Sequence, residues 1–452
     1  MLSRRARLAA PAWGLAGIAA LTGAAAPASA GAQVRAAEQA ELRAIGAPAA
    51  WRLSRGRGVT VAVLDTGVDA AAADLAGSVI TGPDYTLGAD PPGYQQPHLH
   101  GTFIASLIAG HGSGPGRAGG VIGVAPAARV LSVRVILDDQ EPGLGVYNSN
   151  PRYADAIDNG IRYATRHGAQ VINMSLGTGE PAPDMQAALG YAVAHGVLVV
   201  ASAGNSGRPG QRYTPYSYPA SFAGVISVAA VNDAGQRASF SDRNSSVVLS
   251  APGVGIIGAG PDGSYLEASG TSPASAFVAG VAALIRSAYP RLPVAEVAQA
   301  LISSAQHRPA GGYSPATGFG EVDAVAALRA AGRLAAARPV AGLAARGHFG
   351  GAPPGPVQVT HRDTRRIAAL AGVAAAGALG FLGALLLLTV LAVRTVRDRR
   401  RLAAAAPAGT AVPPGRPPEP ADPPRATLDE LMEPADPPGS GADPGPATET
   451  GP

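Results

Sequence analysis

Between Ile367 and Val393 run 27 residues without a single charged side chain. Coiled as a helix at about 1.5 Å per residue, such a run is about 40 Å long, more than the ~30 Å of hydrocarbon in a bilayer. It can therefore cross a membrane with some tilt. Arg394, Arg397, Arg399, Arg400 and Arg401 follow directly, and positive charge marks the cytoplasmic side. A membrane helix over 367–393 thus leaves the long N-terminal part outside the cell membrane and the C-terminus inside. Gly372, Ala376, Gly380 and Ala384 recur on one helix face. Such stripes can pack helices together, but an Ala/Gly-rich run produces them readily.

The N-terminus gives the same orientation independently. Arg4, Arg5 and Arg7 precede an apolar stretch that ends in Ala28-Ser29-Ala30, the layout of a secretory signal peptide cut at small residues. Residues 1–30 read as that signal, cut after Ala30, and residues 31–50 as a short N-terminal extension. A retained N-terminal anchor is the alternative. The Arg4-Arg5 pair also permits twin-arginine export. At the other end, residues 333–366 are rich in Ala, Gly and Pro and read as a stalk. After the Arg cluster, residues 402–452 carry 14 Pro and eight acids against Arg416 and Arg425. They read as a disordered cytoplasmic tail, too poor in apolar residues to fold.

Composition excludes several kinds of chemistry. The chain has no Cys, hence no disulfide framework, thiol nucleophile or Cys-ligated metal. It has no Lys either, which removes Schiff-base chemistry and a phosphate-loop lysine. The net charge of +4 suggests nucleic acid only until its distribution is read. The surplus lies at the N-terminus and around the apolar run, whereas residues 31–361 hold 22 Arg against 21 acids. No basic groove for phosphates is indicated, and no nucleic-acid partner is expected.

The body, residues 51–332, alternates strand and helix patterns. Val59 to Leu64 is a short continuous apolar run of the kind a buried parallel strand needs. Val130–Val135, Val171–Met174, Val197–Ala201 and Val225–Val231 are further strands, the last without a clear helix before it. Tyr153–His167 and Met185–His195 have helical spacing and stop at Gly168 and Gly196. Ala274–Ala288 and Val294–Ala305 are helices as well. Strands separated by helices predict an α/β fold, with a parallel sheet covered on both faces. Its chemistry should sit at the carboxyl ends of the strands.

The polar residues at those ends form an ordered set. The first strand runs into Asp65-Thr66-Gly67. His100-Gly101-Thr102 opens an apolar helix, Ser202-Ala203-Gly204-Asn205 ends a strand, and Gly270-Thr271-Ser272-Pro273 opens a long apolar helix. A serine nucleophile needs a base. The base needs a carboxylate to fix its tautomer, and the developing oxyanion needs donors. Ser272, His100, Asp65 and Asn205 fill those roles in that order. Pro273 suits the first helical turn, where its missing N–H is not needed.

These four blocks, in the order Asp, His, Ser, resemble the signature blocks of subtilisin-like serine proteases, the subtilases of peptidase family S8. The resemblance covers about residues 50–330. It implies a three-layer subtilisin-like fold and hydrolysis of peptide bonds in protein substrates through an acyl-enzyme. It further implies that Asn205 and the Ser272 backbone N–H form the oxyanion hole. Ser175, Leu176 and Gly177 would pair with an extended substrate, and the stretch from Ala201 through Ala203 to Gly204 would line the P1 pocket. The sequence departs from the family in one place. The Pro usual four residues after the nucleophile is replaced by Ala276, and Pro273 follows the serine directly. Pro273 has no N–H, which rules out the α/β-hydrolase arrangement that uses that group. A membrane-anchored subtilase with so short an N-terminal extension is similar to a mycosin, the protease of actinobacterial type VII secretion. The Lys-free, Ala/Gly/Arg-rich composition fits such a source, although mycosins often carry disulfides. This resemblance implies a secretion complex in the membrane as partner, besides lipid around the C-terminal helix.

Two other readings compete. A subtilase fold can serve as a structural part of a secretion assembly with little proteolysis. Alternatively, His98 and His100, two apart on a strand, would put both rings on one side and could hold zinc; no further His or carboxylate cluster joins them. No metal or other cofactor is expected. Many subtilases bind structural calcium, but the sequence shows no decisive calcium loop.

Overall fold

The computed structural model describes residues 18–20, 28–337 and 364–404. They belong to two units, residues 1–344 and 345–452. The expected cytoplasmic tail and most of the expected stalk and signal peptide lie outside the described residues.

A seven-stranded sheet organises the first unit. Its strands are β1 (Thr60–Asp65), β2 (Val79–Asp84), β3 (Arg129–Arg134), β4 (Val171–Met174), β5 (Leu198–Ser202), β6 (Val225–Val231) and β7 (Val247–Pro252). They lie side by side in the order β7-β6-β5-β4-β1-β3-β2, and every pair is parallel. The strands expected from sequence are present within a residue or two of their expected ends. Two more, β2 and β7, were not expected. The sequence Val79-Ile80-Thr81-Gly82-Pro83-Asp84 is half-exposed and interrupted by Gly and Pro, so it lacks the continuous apolar run that marks β1. Sheet edges tolerate such residues, and β2 is an edge.

Helices cover both faces, which completes the three-layer fold. On one face lie α2 (Leu99–Ala109) and α5 (Thr271–Ala288), with Phe103 and Phe277 among their fully buried side chains. On the other lie α3 (Ala156–Arg166) and α4 (Pro183–Ala194), with Ile161, Met174, Ala188 and Leu189 packed between them and the sheet. Residues 271–286 of α5 are buried on every side, as befits a central core helix. Its small residues permit close approach: a Cβ on Gly280 would press into Val124. Helices α6 (Val294–Ser303) and α7 (Ala324–Ala336) pack against each other and α5. Because α7 runs to Ala336, the folded domain extends past residue 332, where the stalk was expected to begin.

The N-terminal extension is also folded. Residues Ala28–Ala44 form α1, with Leu42 and Ile45 in the core. Arg35 donates to the carbonyls of Gly119 and Gly120, each at 2.9 Å, and Glu38 accepts from the Ile122 amide at 2.8 Å. The expected cut after Ala30 falls in the first turn of this helix. Upstream, Ile18–Ala20 pairs antiparallel with Tyr265–Ala268.

The second unit contains α8, a single helix over Thr364–Ala404. Its stretch Ala368–Arg401 is 34 residues long with a mean hydropathy of 2.4 and no buried side chains. It is long and apolar enough to cross a membrane.

Candidate active site

Three strand ends and two helix starts meet at the carboxyl edge of the sheet. Asp65 closes β1, and α2 brings His100 over it. The helix approaches so closely that a Cβ on Gly101 would collide with the Gly67 carbonyl, which explains the glycine after the histidine. The Gly101 amide also donates to Thr66 Oγ1 at 3.0 Å. In this arrangement His100 Nδ1 lies 2.7 Å from Asp65 Oδ1. The same oxygen accepts from the Thr66 amide at 2.8 Å. Asp65 is fully buried and His100 is 4% exposed, so little water competes for the contact. With Asp65 ionised, Nδ1 carries the proton and Nε2 is left as the basic nitrogen. Burial alone would push the imidazole down. The Asp65 carboxylate, joined by Asp138 and Asp139, outweighs it, and the net shift is upward.

Asp138 was not singled out from the sequence. It lies just beyond β3, the strand beside β1. Its Oδ2 accepts from the Leu99 amide at 3.0 Å and its Oδ1 from the His100 amide at 3.1 Å. A carboxylate therefore holds the first turn of the helix that carries the base, where free N–H groups favour negative charge. Glu141 in turn accepts from the Asp138 amide at 2.7 Å and pairs with buried Arg134. Burial pushes the Glu141 carboxyl up to about 7. One signal could have found Asp138: it follows a buried apolar strand, as Asp65 does.

Ser272 occupies the first turn of α5 and is 7% exposed. Its hydroxyl donates to the Ser175 carbonyl at 3.3 Å rather than to His100. Ser175 Oγ donates to the Ser272 carbonyl at 3.2 Å and lies 3.0 Å from Ser275 Oγ, while Asn173 Nδ2 donates to it at 2.9 Å. The Ser175 side chain is thus buried and ties α5 to the end of β4.

Asn205 sits just beyond β5. Its Oδ1 accepts from both the amide and the hydroxyl of Thr271, at 2.9 and 3.0 Å. Two donors on one oxygen fix which way the amide points and leave Nδ2 as a free donor. A cleft of about 610 Å³ joins these groups, lined by Ser175, Leu176, Gly177, Gly204, Asn205 and Ser272 among others. Ala203 does not line it. Side chains alternate along extended chain, and Ala203 turns inward to pack on Ala229 and Val247; Ser202 faces the cleft instead. Residues Ser175 to Gly177 lie beyond β4 without a ladder of their own, and the first pairing is Thr178 with Tyr218. That leaves backbone without a ladder partner beside the cleft.

The premise of the zinc reading does not hold. His98 and His100 are at a helix start, not on a strand, and their Nδ1 atoms bond different partners, the Thr66 carbonyl and Asp65. Among the described residues, the acidic and histidine groups close enough to share an ion are Asp155, Asp158 and Asp184, on and around α3 and α4.

Comparison with known proteins agrees with this geometry. Residues 56–320 match the model of the subtilase family, peptidase S8. The chain is 41% identical over 244 residues to an intracellular serine protease of Paenibacillus polymyxa, covering 54% of this chain and 71% of that one. In structure it is similar to the MycP3 protease from the type VII (ESX-3) secretion system. The TM-score is 0.54 and the identity 32%, with 64% of this chain and 87% of the other covered. MycP1 from Mycobacterium smegmatis superposes with a TM-score of 0.54 at 27% identity, over 64% of this chain and 84% of that one. The chain belongs to the subtilase family and is a subtilisin-like serine endopeptidase.

Proposed function

We propose that this subtilase cleaves extracytoplasmic protein substrates with Ser272 as nucleophile, His100 as general base and Asp65 as the carboxylate that orients it. The observation that carries the reading is the buried 2.7 Å contact between His100 Nδ1 and Asp65 Oδ1, at the same carboxyl edge of the sheet as the cleft that Ser272 and Asn205 line. Ser272 Oγ attacks the scissile carbonyl and its proton passes to His100 Nε2. The carbonyl oxygen, now negative, takes hydrogen bonds from Asn205 Nδ2 and the Ser272 amide. His100 then protonates the leaving amine, and water hydrolyses the acyl-enzyme by the same steps. None of these steps calls on a cofactor. Gly177 and its neighbours offer main-chain groups to an extended peptide, and the 27-residue apolar run holds the enzyme at the membrane surface on which it acts. The likeness to MycP3 supports a place in type VII secretion.

A second reading has one observation in its favour. The Ser272 hydroxyl points to the Ser175 carbonyl, as it would in a site that is completed only inside a larger assembly or that serves as a scaffold. One experiment separates the two. The full-length protein in detergent is treated with a fluorophosphonate probe beside its Ser272→Ala variant, and the label is located by peptide mass spectrometry. Label on Ser272 that is absent from the variant is expected. A folded parent that takes no label would reject the nucleophile assignment for the isolated protein and favour the scaffold.

A further inference from the structure

Asn205 is a donor on a loop, and a loop does not hold a side chain still by itself. Thr271 fixes one end of the Asn205 amide. The backbone on either side is held by Asp242, in the connection between β6 and β7, while the Gly204 amide also donates to Thr271 Oγ1 at 3.2 Å. Its Oδ1 accepts from the Ser206 amide at 2.9 Å and its Oδ2 from the Ser206 hydroxyl at 3.3 Å. Its own amide donates to the Gly204 carbonyl at 2.9 Å. Gly204 has a φ of +113°, and a Cβ there would collide with Asp242 Oδ2. Glycine is therefore required twice over, for the backbone conformation and for the approach of the carboxylate. The clasp continues one residue on, where the Gly207 amide donates to the Phe240 carbonyl at 2.8 Å. Asp242 is fully buried and is absent from the cleft lining, so it does not touch substrate.

We propose that Asp242 is the positioning residue of the oxyanion donor: by gripping Gly204 and Ser206 it holds the intervening Asn205 where Thr271 can lock its Oδ1 and leave Nδ2 for the substrate oxygen. This rests on the role given to Asn205 above. A buried carboxylate of this kind is costly to desolvate, and burial pushes its pKa up to about 6 against the hydrogen bonds from Ser206 and Thr214. The hydrogen bonds that the carboxylate accepts from the Ser206 amide and hydroxyl and from Thr214 offset part of that cost.

The test is a double-mutant cycle between Asp242→Ala and Asn205→Ala in the full-length protein, read by the rate of fluorophosphonate labelling. An oxyanion donor acts as charge develops, so its loss lowers the saturated rate and spares the affinity for the probe. Asp242→Ala is expected to lower that rate about 10- to 100-fold with the half-saturating probe concentration within about twofold. In the Asn205→Ala background the same substitution should cost less than about threefold, because the group it positions is gone. Asp242→Asn keeps an acceptor for the Ser206 amide and should recover much of the rate. A full cost that persists without Asn205, or an effect confined to probe affinity, overturns the proposal. If Asp242→Ala does not fold, Asp242→Asn takes its place in the cycle. A readout independent of chemistry separates failure of this inference from failure of the serine assignment. In protein labelled with ¹⁵N-asparagine, the Asn205 side-chain amide signal is identified by its loss in Asn205→Ala. It should shift or broaden in the Asp242 variants, and an unchanged signal overturns the proposal whether or not the probe reacts.

Discussion

The two halves of the candidate site are held by opposite means. His100 is surrounded by negative charge in direct contact: Asp65 on its ring and Asp138 on its own amide. Asn205 is touched by neutral groups, the amide and hydroxyl of Thr271. The carboxylate on that side, Asp242, bonds its neighbours in sequence and not Asn205 itself. The difference follows from what each group must do. In the proposed mechanism the base becomes a cation in the transition state, and carboxylates in contact stabilise it. The donor faces an oxygen that becomes an anion, and a carboxylate in contact would repel it across a poorly screened site. One side uses charge for chemistry and position together, while the other keeps charge one residue away and uses it for position alone.

The largest expected effect breaks the charged side. Asp65→Asn leaves the packing intact but presents the wrong hydrogen-bonding partner to Nδ1 and removes the charge that stabilises the imidazolium. By analogy with other serine triads it should lower kcat about 10⁴-fold. The neutral side should cost less: Asn205→Ala removes one of two oxyanion donors and should lower kcat about 10²–10³-fold, with KM nearly unchanged. Both variants are compared with the parent under substrate saturation, with folding checked by thermal melting. If Asn205→Ala proves the more damaging, the contrast between the two sides is wrong.

The two sides also differ in how far they can be read from sequence. Asp65, His100, Asn205 and Ser272 stand in short blocks whose glycines and helix starts have a local reason; the structure joins Asp65 to His100 and lines one cleft with Asn205 and Ser272. The residues that hold them do not stand in blocks. Asp138 and Asp242 act through contacts 38 and 36 residues away in sequence, which no local period reports. The same limit explains the strands. Buried and mostly apolar β1, β4 and β6 are legible, whereas the edge β2 takes its conformation from pairing with β3 and not from its own composition. The extension over Ala28–Ala44 is legible as a segment but not as part of the core, because its helix is weakly patterned and its anchors, Arg35 and Glu38, bond to backbone 84 or 85 residues on. Ala203 shows the reverse error: a motif places it near the cleft, and the alternation of extended chain turns its side chain away.

The smallest expected effect sharpens the charged side, because it separates charge from position. The base must be neutral to accept the serine proton, so kcat/KM should fall as pH drops through the His100 pKa. That pKa is raised above its ordinary value, which places the loss at a higher pH than for a free imidazole. Asp138 contributes to the upward shift through its charge and to the helix start through its two accepted bonds. Asp138→Asn removes the charge and keeps one acceptor, the amide oxygen, for one of the two N–H groups. The acid limb of the profile should therefore move to lower pH, with the plateau rate within about tenfold of the parent, since the chemistry at Nε2 is untouched. Asp138→Ala should show the same displacement and also lose about 1–2 kcal/mol of stability, as capping losses do. An acid limb that stays in place in Asp138→Asn would mean that Asp138 serves position alone, and the two halves of the site would then be built on the same plan.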